Sequence, residues 1–133
     1  MSDPDDELER IRQQRREELM KQAEQPETPD EPVEITSQAA FDEFLSAHEV
    51  VLVDFYADWC GPCQQLAPIV ASVAARTDAA VAKVDTDAQR ALAANHGVRS
   101  LPTLVLFVDG EPAERVVGLQ PEQRLIQVIE QHT

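Results

Sequence analysis

The stretch VVLVDFYADWCGPC, residues 50–63, decides the fold and contains both cysteines of the chain. Its first seven residues form a nearly unbroken run of β-prone side chains, which is typical of a central strand covered on both faces. Helical periodicity follows from about Cys60 to Arg76, with Leu66 and Val70 on the apolar face. The sequence therefore predicts a strand, a turn and a helix, with the cysteines at the start of that helix.

The spacing of Cys60 and Cys63 indicates a redox-active pair. Side chains three residues apart lie on neighbouring turns of one helix face, so the two sulfurs can join with little backbone movement. Free N–H groups and the helix dipole at the first turn favour a thiolate at Cys60 and lower its pKa, which predicts that Cys60 is the nucleophile. Cys63 lies on the apolar stripe and is expected to be less exposed, as suits a resolving thiol.

Two other interpretations of the cysteine pair are weaker. Half of a zinc site would need further ligands, and His48, His96 and His132 fall on unrelated predicted elements without metal-like spacing, so no metal is expected. A purely structural disulfide is disfavoured in a reducing compartment. The acidic start of the chain, without an apolar stretch behind it, does not resemble a secretory signal and predicts a cytoplasmic protein.

Composition limits the class of partner. The 133 residues carry 25 acidic and 11 basic side chains, for a net charge of −14. Phosphate binding needs concentrated Lys and Arg, so nucleic acid is not an expected partner. No run approaches the roughly 18 apolar residues of a membrane span. Only two lysines accompany nine arginines, a balance typical of proteins from salt-loving microbes, and high salt would screen the self-repulsion of such a charge.

The composition changes near residue 34, which predicts two parts. Residues 1–34 are almost without apolar side chains and are expected to form an acidic extension: a helix from about Pro4 to Ala23, and then a proline-rich linker over residues 25–32. Residues 35–133 are expected to form the folded domain. Its fold class is α/β, with a mixed sheet of about five strands flanked by about four helices.

The remaining elements follow from alternation, periodicity and turn residues. The dipeptide Asp109-Gly110 is a preferred two-residue hairpin turn, so the strands on either side of it should pair antiparallel. The other strands are predicted at Val33–Thr36, Val81–Asp85, Thr103–Val108 and Arg115–Val117, and the other helices after Ser37, over Ala88–Asn95 and over Pro121–His132.

The sequence Trp59-Cys60-Gly61-Pro62-Cys63 after an apolar strand resembles the active-site signature of the thioredoxin family. The similarity extends over about residues 35–133. It implies the thioredoxin fold and a thiol–disulfide oxidoreductase that reduces protein disulfides, with disulfide-containing proteins and a thioredoxin reductase as partners. It implies no cofactor beyond the redox-active Cys60–Cys63 disulfide. Further matching positions are Asp54, Pro68, Lys83, Leu101-Pro102-Thr103, Gly110 and Gly118.

The resemblance also implies roles for the catalytic side chains. Cys60 attacks a substrate disulfide and Cys63 resolves the mixed disulfide. Asp54 is a carboxylate in an apolar strand, where desolvation should raise its pKa and allow it to accept the Cys63 proton. The alternative is that Asp54 forms a structural ion pair with Lys83.

Other matched residues are expected to shape the site and bind substrate. Pro102 is expected to follow a cis peptide bond beside the sulfurs, and the Leu101 backbone to pair with an extended substrate. Trp59 would shield the sulfurs, and Gly118 would let substrate backbone approach closely. Gly61-Pro62 resembles the reducing members of the family rather than its oxidising ones.

The sequence departs from the commonest family pattern at Tyr56, Gln64 and Ser100, where tryptophan, lysine and glycine are frequent. None of these changes removes a catalytic group. Because the leading 34 residues lie outside the family pattern, a second function is considered: a thioredoxin-fold binding or assembly module whose N-terminal helix recruits a partner.

Overall fold

The structure is a computed structural model that describes residues 4–24 and 27–133. The start of the acidic extension and the first two residues of the expected linker lie outside this range. The elements in chain order are α1 (Pro4–Glu24), β1 (Val33–Glu34), α2 (Gln38–Ala47), β2 (Val50–Tyr56), α3 (Gly61–Arg76), β3 (Ala80–Asp85), α4 (Arg90–Asn95), β4 (Thr103–Val108), β5 (Glu111–Val117) and α5 (Glu122–Gln131).

Five strands form one mixed sheet in the order β1-β3-β2-β4-β5. The strand β2 lies at its centre, parallel to β3 and antiparallel to β4. The outer strands β1 and β5 pair parallel with β3 and antiparallel with β4, respectively. The predicted mixed five-stranded sheet is therefore confirmed, and its central strand leads directly into the cysteines.

The sheet has a hydrophobic core on each face, because alternate residues of every strand point to opposite sides. On one face the strands pack with residues of α3 and α5, and on the other with residues of α2 and α4. The central strand β2 contributes to both, which explains why its sequence is apolar without alternation. Its residues 51–55 are all buried.

Local sequence signals fix the ends of several elements. The Ser37 side chain accepts a hydrogen bond from the Ala40 N–H at 3.0 Å and so caps α2. Asp109 and Gly110 both have positive φ, 52° and 81°, as the predicted two-residue turn requires. The hairpin between β4 and β5 is thus confirmed.

Three predicted boundaries differ from the structure. The helix expected from Ala88 begins at Arg90, because the Asp85 carboxylate accepts from the N–H groups of Asp87 and Ala88 and holds these residues in a turn. The first strand ends at Glu34 instead of Thr36. The strand β5 begins at Glu111, well before the predicted Arg115, since pairing with β4 resumes directly after the turn.

Helix α1 matches the predicted helix closely in its bounds. All its side chains from residue 4 to residue 20 are exposed, including Leu8, Ile11 and Leu19. The sheet begins at Val33, two residues before the division that composition predicts. Within the described residues, no helix is both long enough and apolar enough to cross a membrane.

Candidate active site

The two cysteines lie where the central strand turns into α3. Cys60 is the N-cap residue of α3, and its Sγ accepts a hydrogen bond from the Cys63 N–H at 3.2 Å. The Cα atoms are 5.2 Å apart and the sulfurs are joined in a disulfide. In the reduced state a Cys60 thiolate would face the Cys63 N–H and the positive end of the helix dipole.

The two cysteines differ less in burial than the sequence predicts. Cys60 is 5% exposed and Cys63 is 4% exposed, so exposure alone does not separate a nucleophile from a resolving thiol. What separates them is the cavity that each one lines. Cys60 lines an open groove of about 470 Å³ with Trp59 and Leu101, here called the Trp59 groove. Cys63 lines a smaller cleft of about 140 Å³ with Tyr56 and Lys83, here called the Lys83 cleft.

Trp59 forms the rim of the Trp59 groove. Its side chain is 72% exposed, so it does not belong to the core. The indole N–H donates a hydrogen bond to Asp87 Oδ2 at 2.8 Å, which fixes the orientation of the ring beside Cys60. Exposure of such a large aromatic surface next to a reactive sulfur is typical of a binding site.

The opposite wall of the site contains the expected cis peptide bond, between Leu101 and Pro102. Leu101 packs against the small buried cluster of Ala57, Cys60 and Cys63. The Gly118 N–H donates to the Pro102 carbonyl oxygen at 2.8 Å, and the positive φ of Gly118, 93°, is the conformation that glycine favours. Residues distant in sequence thus meet beside the disulfide.

Asp54 lies beneath the site in the middle of β2. It is fully buried, and neither carboxyl oxygen has a hydrogen-bond partner among residues 4–24 and 27–133. Burial raises the pKa of Asp54 to about 6, while Lys83 acts in the opposite direction and Glu34 adds to the rise. A carboxyl with this pKa can exchange protons near neutral pH.

Lys83 is the direct neighbour of Asp54 on the parallel strand β3. None of the ion pairs among residues 4–24 and 27–133 joins the two side chains. Instead, the Lys83 Nζ atom lies 4.4 Å from the centroid of the Tyr56 ring. The geometry therefore gives no contact that would support the structural ion pair considered as an alternative role for Asp54.

Sequence reasoning missed several residues of the site. Asp87 holds Trp59, and Glu34 accepts a hydrogen bond from the Tyr56 hydroxyl at 2.6 Å. Gln64 was noted above as a departure from the family pattern, but its contact was not foreseen: it donates to the Asp58 carbonyl oxygen at 2.9 Å and links α3 to the preceding loop. Only the pairing of β1 with β3 could have pointed to Glu34, and that pairing is not visible in the local sequence.

Metal binding finds no support in the part of the chain that the structure describes, where no three His, Cys, Asp or Glu side chains converge. The three histidines lie on different elements, as the C-cap residues of α2, α4 and α5.

Comparison with known proteins identifies close relatives. The sequence profile of the thioredoxin family matches residues 32–131. A thioredoxin from Chlamydia caviae is 43% identical over 102 residues, which cover 76% of this chain and 99% of that protein. A thioredoxin from Staphylococcus saprophyticus is 48% identical over 85 residues, covering 62% of this chain and 82% of that protein.

Solved structures show the same likeness in three dimensions. A mutant thioredoxin from Halobacterium salinarum superimposes with a TM-score of 0.78 at 57% identity, covering 80% of this chain and 94% of that one. A thioredoxin from Plasmodium falciparum superimposes with a TM-score of 0.69 at 33% identity, covering 76% and 99%.

Proposed function

The chain belongs to the thioredoxin family and is a thiol–disulfide oxidoreductase that reduces protein disulfides, and we propose that Cys60, Cys63 and Asp54 divide the chemistry of this reaction. The observation that carries the proposal is the disulfide-forming pair at the start of α3, with an unpartnered buried carboxyl in the strand before it. The cysteine pair is the redox centre, and thioredoxins need no cofactor.

The first step belongs to Cys60. Its thiolate attacks one sulfur of a substrate disulfide, the substrate S–S bond breaks, and the second substrate sulfur leaves as a thiolate. The N-cap position supports this role, because the Cys63 N–H already points at the Cys60 sulfur. The product is a mixed disulfide between Cys60 and the substrate.

The second step belongs to Cys63 and Asp54. The Asp54 carboxylate accepts the Cys63 proton, and the Cys63 sulfur attacks Cys60 Sγ. The mixed disulfide breaks and the second substrate sulfur leaves as a thiolate. The substrate has then gained two electrons from the cysteine pair, which is oxidised to the Cys60–Cys63 disulfide. The pKa of about 6 suits Asp54 to this exchange near neutral pH.

Substrates dock in the Trp59 groove. Its walls are the exposed Trp59 ring, Gly61, Pro62 and the Leu101 backbone before the cis bond to Pro102. Gly118 faces the same region through its bond to Pro102. Main-chain pairing along this wall would bind extended protein segments largely independently of their side chains, as a reductase of many proteins requires.

The family implies disulfide-containing protein substrates and a thioredoxin reductase that returns electrons. The net charge of −14 and the shortage of lysine, together with the 57% identity to the Halobacterium protein, support a halophilic, haloarchaeal origin and a cytoplasmic role in electron transport and redox homeostasis. Residues 1–34 would form an acidic extension and residues 35–133 the catalytic domain.

Insulin reduction tests the proposed roles. The parent chain should precipitate reduced insulin, and Cys60→Ser should abolish the reaction. Cys63→Ser should accumulate mixed disulfides with substrate, because attack still occurs and resolution does not. Equal insulin reduction by the parent chain and Cys60→Ser would instead favour the second function, a binding module, for which the exposed Leu8 and Ile11 of α1 are the supporting observation.

A further inference from the structure

Three charged side chains lie in one row near the edge of the sheet. The strand register pairs Glu34 with Lys83 and Lys83 with Asp54, so all three point to the same face. Neighbouring strands are about 4.8 Å apart, so Glu34 and Asp54 are separated by about 10 Å with Lys83 between them. One ammonium group therefore has a carboxyl on each side. Glu34 is exposed and Asp54 is buried.

Tyr56 contacts two members of this row. It follows Asp54 by two residues on β2, which places its side chain on the same face of the sheet. Its hydroxyl donates to Glu34 Oε1 at 2.6 Å, and its ring lies under Lys83, with Nζ 4.4 Å from the centroid. The ring attracts the ammonium through a cation–π contact. The hydrogen bond from the Tyr56 hydroxyl engages the Glu34 carboxylate, which would otherwise be free to pair with Lys83.

The ammonium group held in this way faces the redox site. Lys83 and Tyr56 line the Lys83 cleft together with Cys63. The positive charge of Lys83 lowers the pKa of Asp54 against the effect of burial, and Glu34 raises it. In the opposite direction along this row, the register partners of Asp54 on β4 and β5, Leu104 and Val116, carry no charge. Among the described residues, Asp85 of β3 and Asp58 of the loop before α3 are the other charged groups that act on Tyr56.

We infer that Tyr56 is a positioning residue that keeps the Lys83 ammonium beside Asp54 and Cys63, and out of an ion pair with Glu34 at the exposed edge. The inference deepens the proposed function and rests on Asp54 as the proton acceptor. When the Cys63 proton passes to Asp54 and the Cys63 sulfur attacks Cys60, negative charge moves between these groups, and the ammonium stabilises it. Tyr56 itself exchanges no proton, because burial and the bond to Glu34 raise its pKa above its ordinary value.

Tyr56→Phe tests the inference without changing any charge. Phenylalanine keeps the ring but frees Glu34, whose register partner on β3 is Lys83. We expect the ammonium to move away from Asp54, and the Asp54 titration midpoint to rise by about 0.5 to 1 pH unit, as Coulomb's law gives for a retreat of a few ångströms. The carboxyl carbon of Asp54 is followed by NMR in the oxidised full-length chain. The same change in a Lys83→Met background should leave the midpoint unmoved.

Glu34→Gln supplies the opposite change. Glutamine still accepts the Tyr56 hydrogen bond but no longer attracts the ammonium outward, so the Asp54 midpoint should fall. Glu111→Gln, the same substitution on the exposed strand β5 at the other edge of the sheet, should cause no movement. The rate at which Cys63 attacks a preformed mixed disulfide is also measured against pH. Its pH midpoint should shift in the same direction as the Asp54 midpoint in each variant.

Two results of the NMR titration would overturn the inference. One is a midpoint in Tyr56→Phe that stays in place or falls; the other is a rise that persists in the Lys83→Met background. The NMR titration uses no substrate, so it reports on Tyr56 even if the insulin assay refutes the proposed roles of the cysteines. A third result concerns the reaction itself. If Asp54 titrates as expected but the pH midpoint for Cys63 attack does not shift with it, then Tyr56 positions Lys83 but Asp54 is not the proton acceptor. That result refutes the inference as stated.

Discussion

At the level of one residue, Asp54 is a buried carboxyl whose proposed catalytic role would come at the expense of stability. Its carboxyl is fully buried and has no hydrogen-bond partner in the described part of the chain. The ionised form is therefore disfavoured in the folded state relative to the unfolded state. Burial of this kind is tolerated where a site needs a proton acceptor that works near neutral pH.

Asp54→Asn should stabilise the oxidised protein above pH 7. Burial moves the pKa of Asp54 from 3.8 to about 6 in the folded state, so the unfolded chain releases its proton first as pH rises, and stability falls between these values. At 1.36 kcal/mol for each unit of pKa, the lost free energy of unfolding is about 2 to 3 kcal/mol. Urea denaturation should show this gain for the variant at pH 7.5 and almost none at pH 3. An equal gain at both pH values would contradict the assignment.

The glycines give a second test at the level of one residue. Gly110 has a φ of 81°, whereas Gly61 has a negative φ and free space around an added Cβ. Gly110→Ala should therefore cost about 1 to 2 kcal/mol, and Gly61→Ala should stabilise by up to about 1 kcal/mol by restricting the unfolded chain. Thermal unfolding of the two oxidised variants compares them directly. Shifts of the same sign would contradict the backbone argument.

At the level of elements, helix α2 depends on its cap. The Ser37 Oγ atom satisfies the Ala40 N–H at 3.0 Å, and no acidic side chain supports the first turn. Ser37→Ala should lower the free energy of unfolding by about 1 kcal/mol. Ser46→Ala in the same helix is the control, because it removes only a bond to the Asp42 carbonyl. A control as destabilised as the cap variant, by urea denaturation, would show that capping is not the cause.

For the whole molecule, the acidic extension can be deleted up to residue 31 without removing any strand of the sheet. Helix α1 exposes all its side chains from residue 4 to residue 20, and the sheet begins at Val33. Deletion of residues 1–31 should therefore leave insulin reduction intact, and a loss of more than about tenfold, or 1.4 kcal/mol of activation free energy, would contradict this. Deletion of residues 1–34 removes β1 as well and should reduce both stability and rate.

Net charge predicts the response of the whole molecule to salt. With a charge of −14, self-repulsion opposes the compact state, and screening relieves it. The free energy of unfolding at pH 7 should rise by at least about 1 kcal/mol between 0.1 M and 2 M KCl. Near pH 4.4, where the net charge vanishes, the same series should show a much smaller rise. An equal rise at both pH values would point to a cause other than charge.

The sequence by itself determined the order of elements and the redox pair. Both depend on local signals: an unbroken apolar strand, a hairpin dipeptide, a capping serine, and two cysteines three residues apart. The boundary errors at Ala88 and Arg115 arose because side-chain turns and strand pairing override local propensity.

Only the tertiary structure decided which charges surround Asp54. Glu34 and Lys83 enter the site through strand pairing over long sequence distances, and the Tyr56 hydrogen bond to Glu34 spans 22 residues. Burial and the distance between charges set the pKa of a carboxyl, and both are properties of the packed sheet. A one-dimensional pattern therefore identifies the redox cysteines, whereas the electrostatic surroundings of Asp54, the proposed proton acceptor, exist only once the strands are in register.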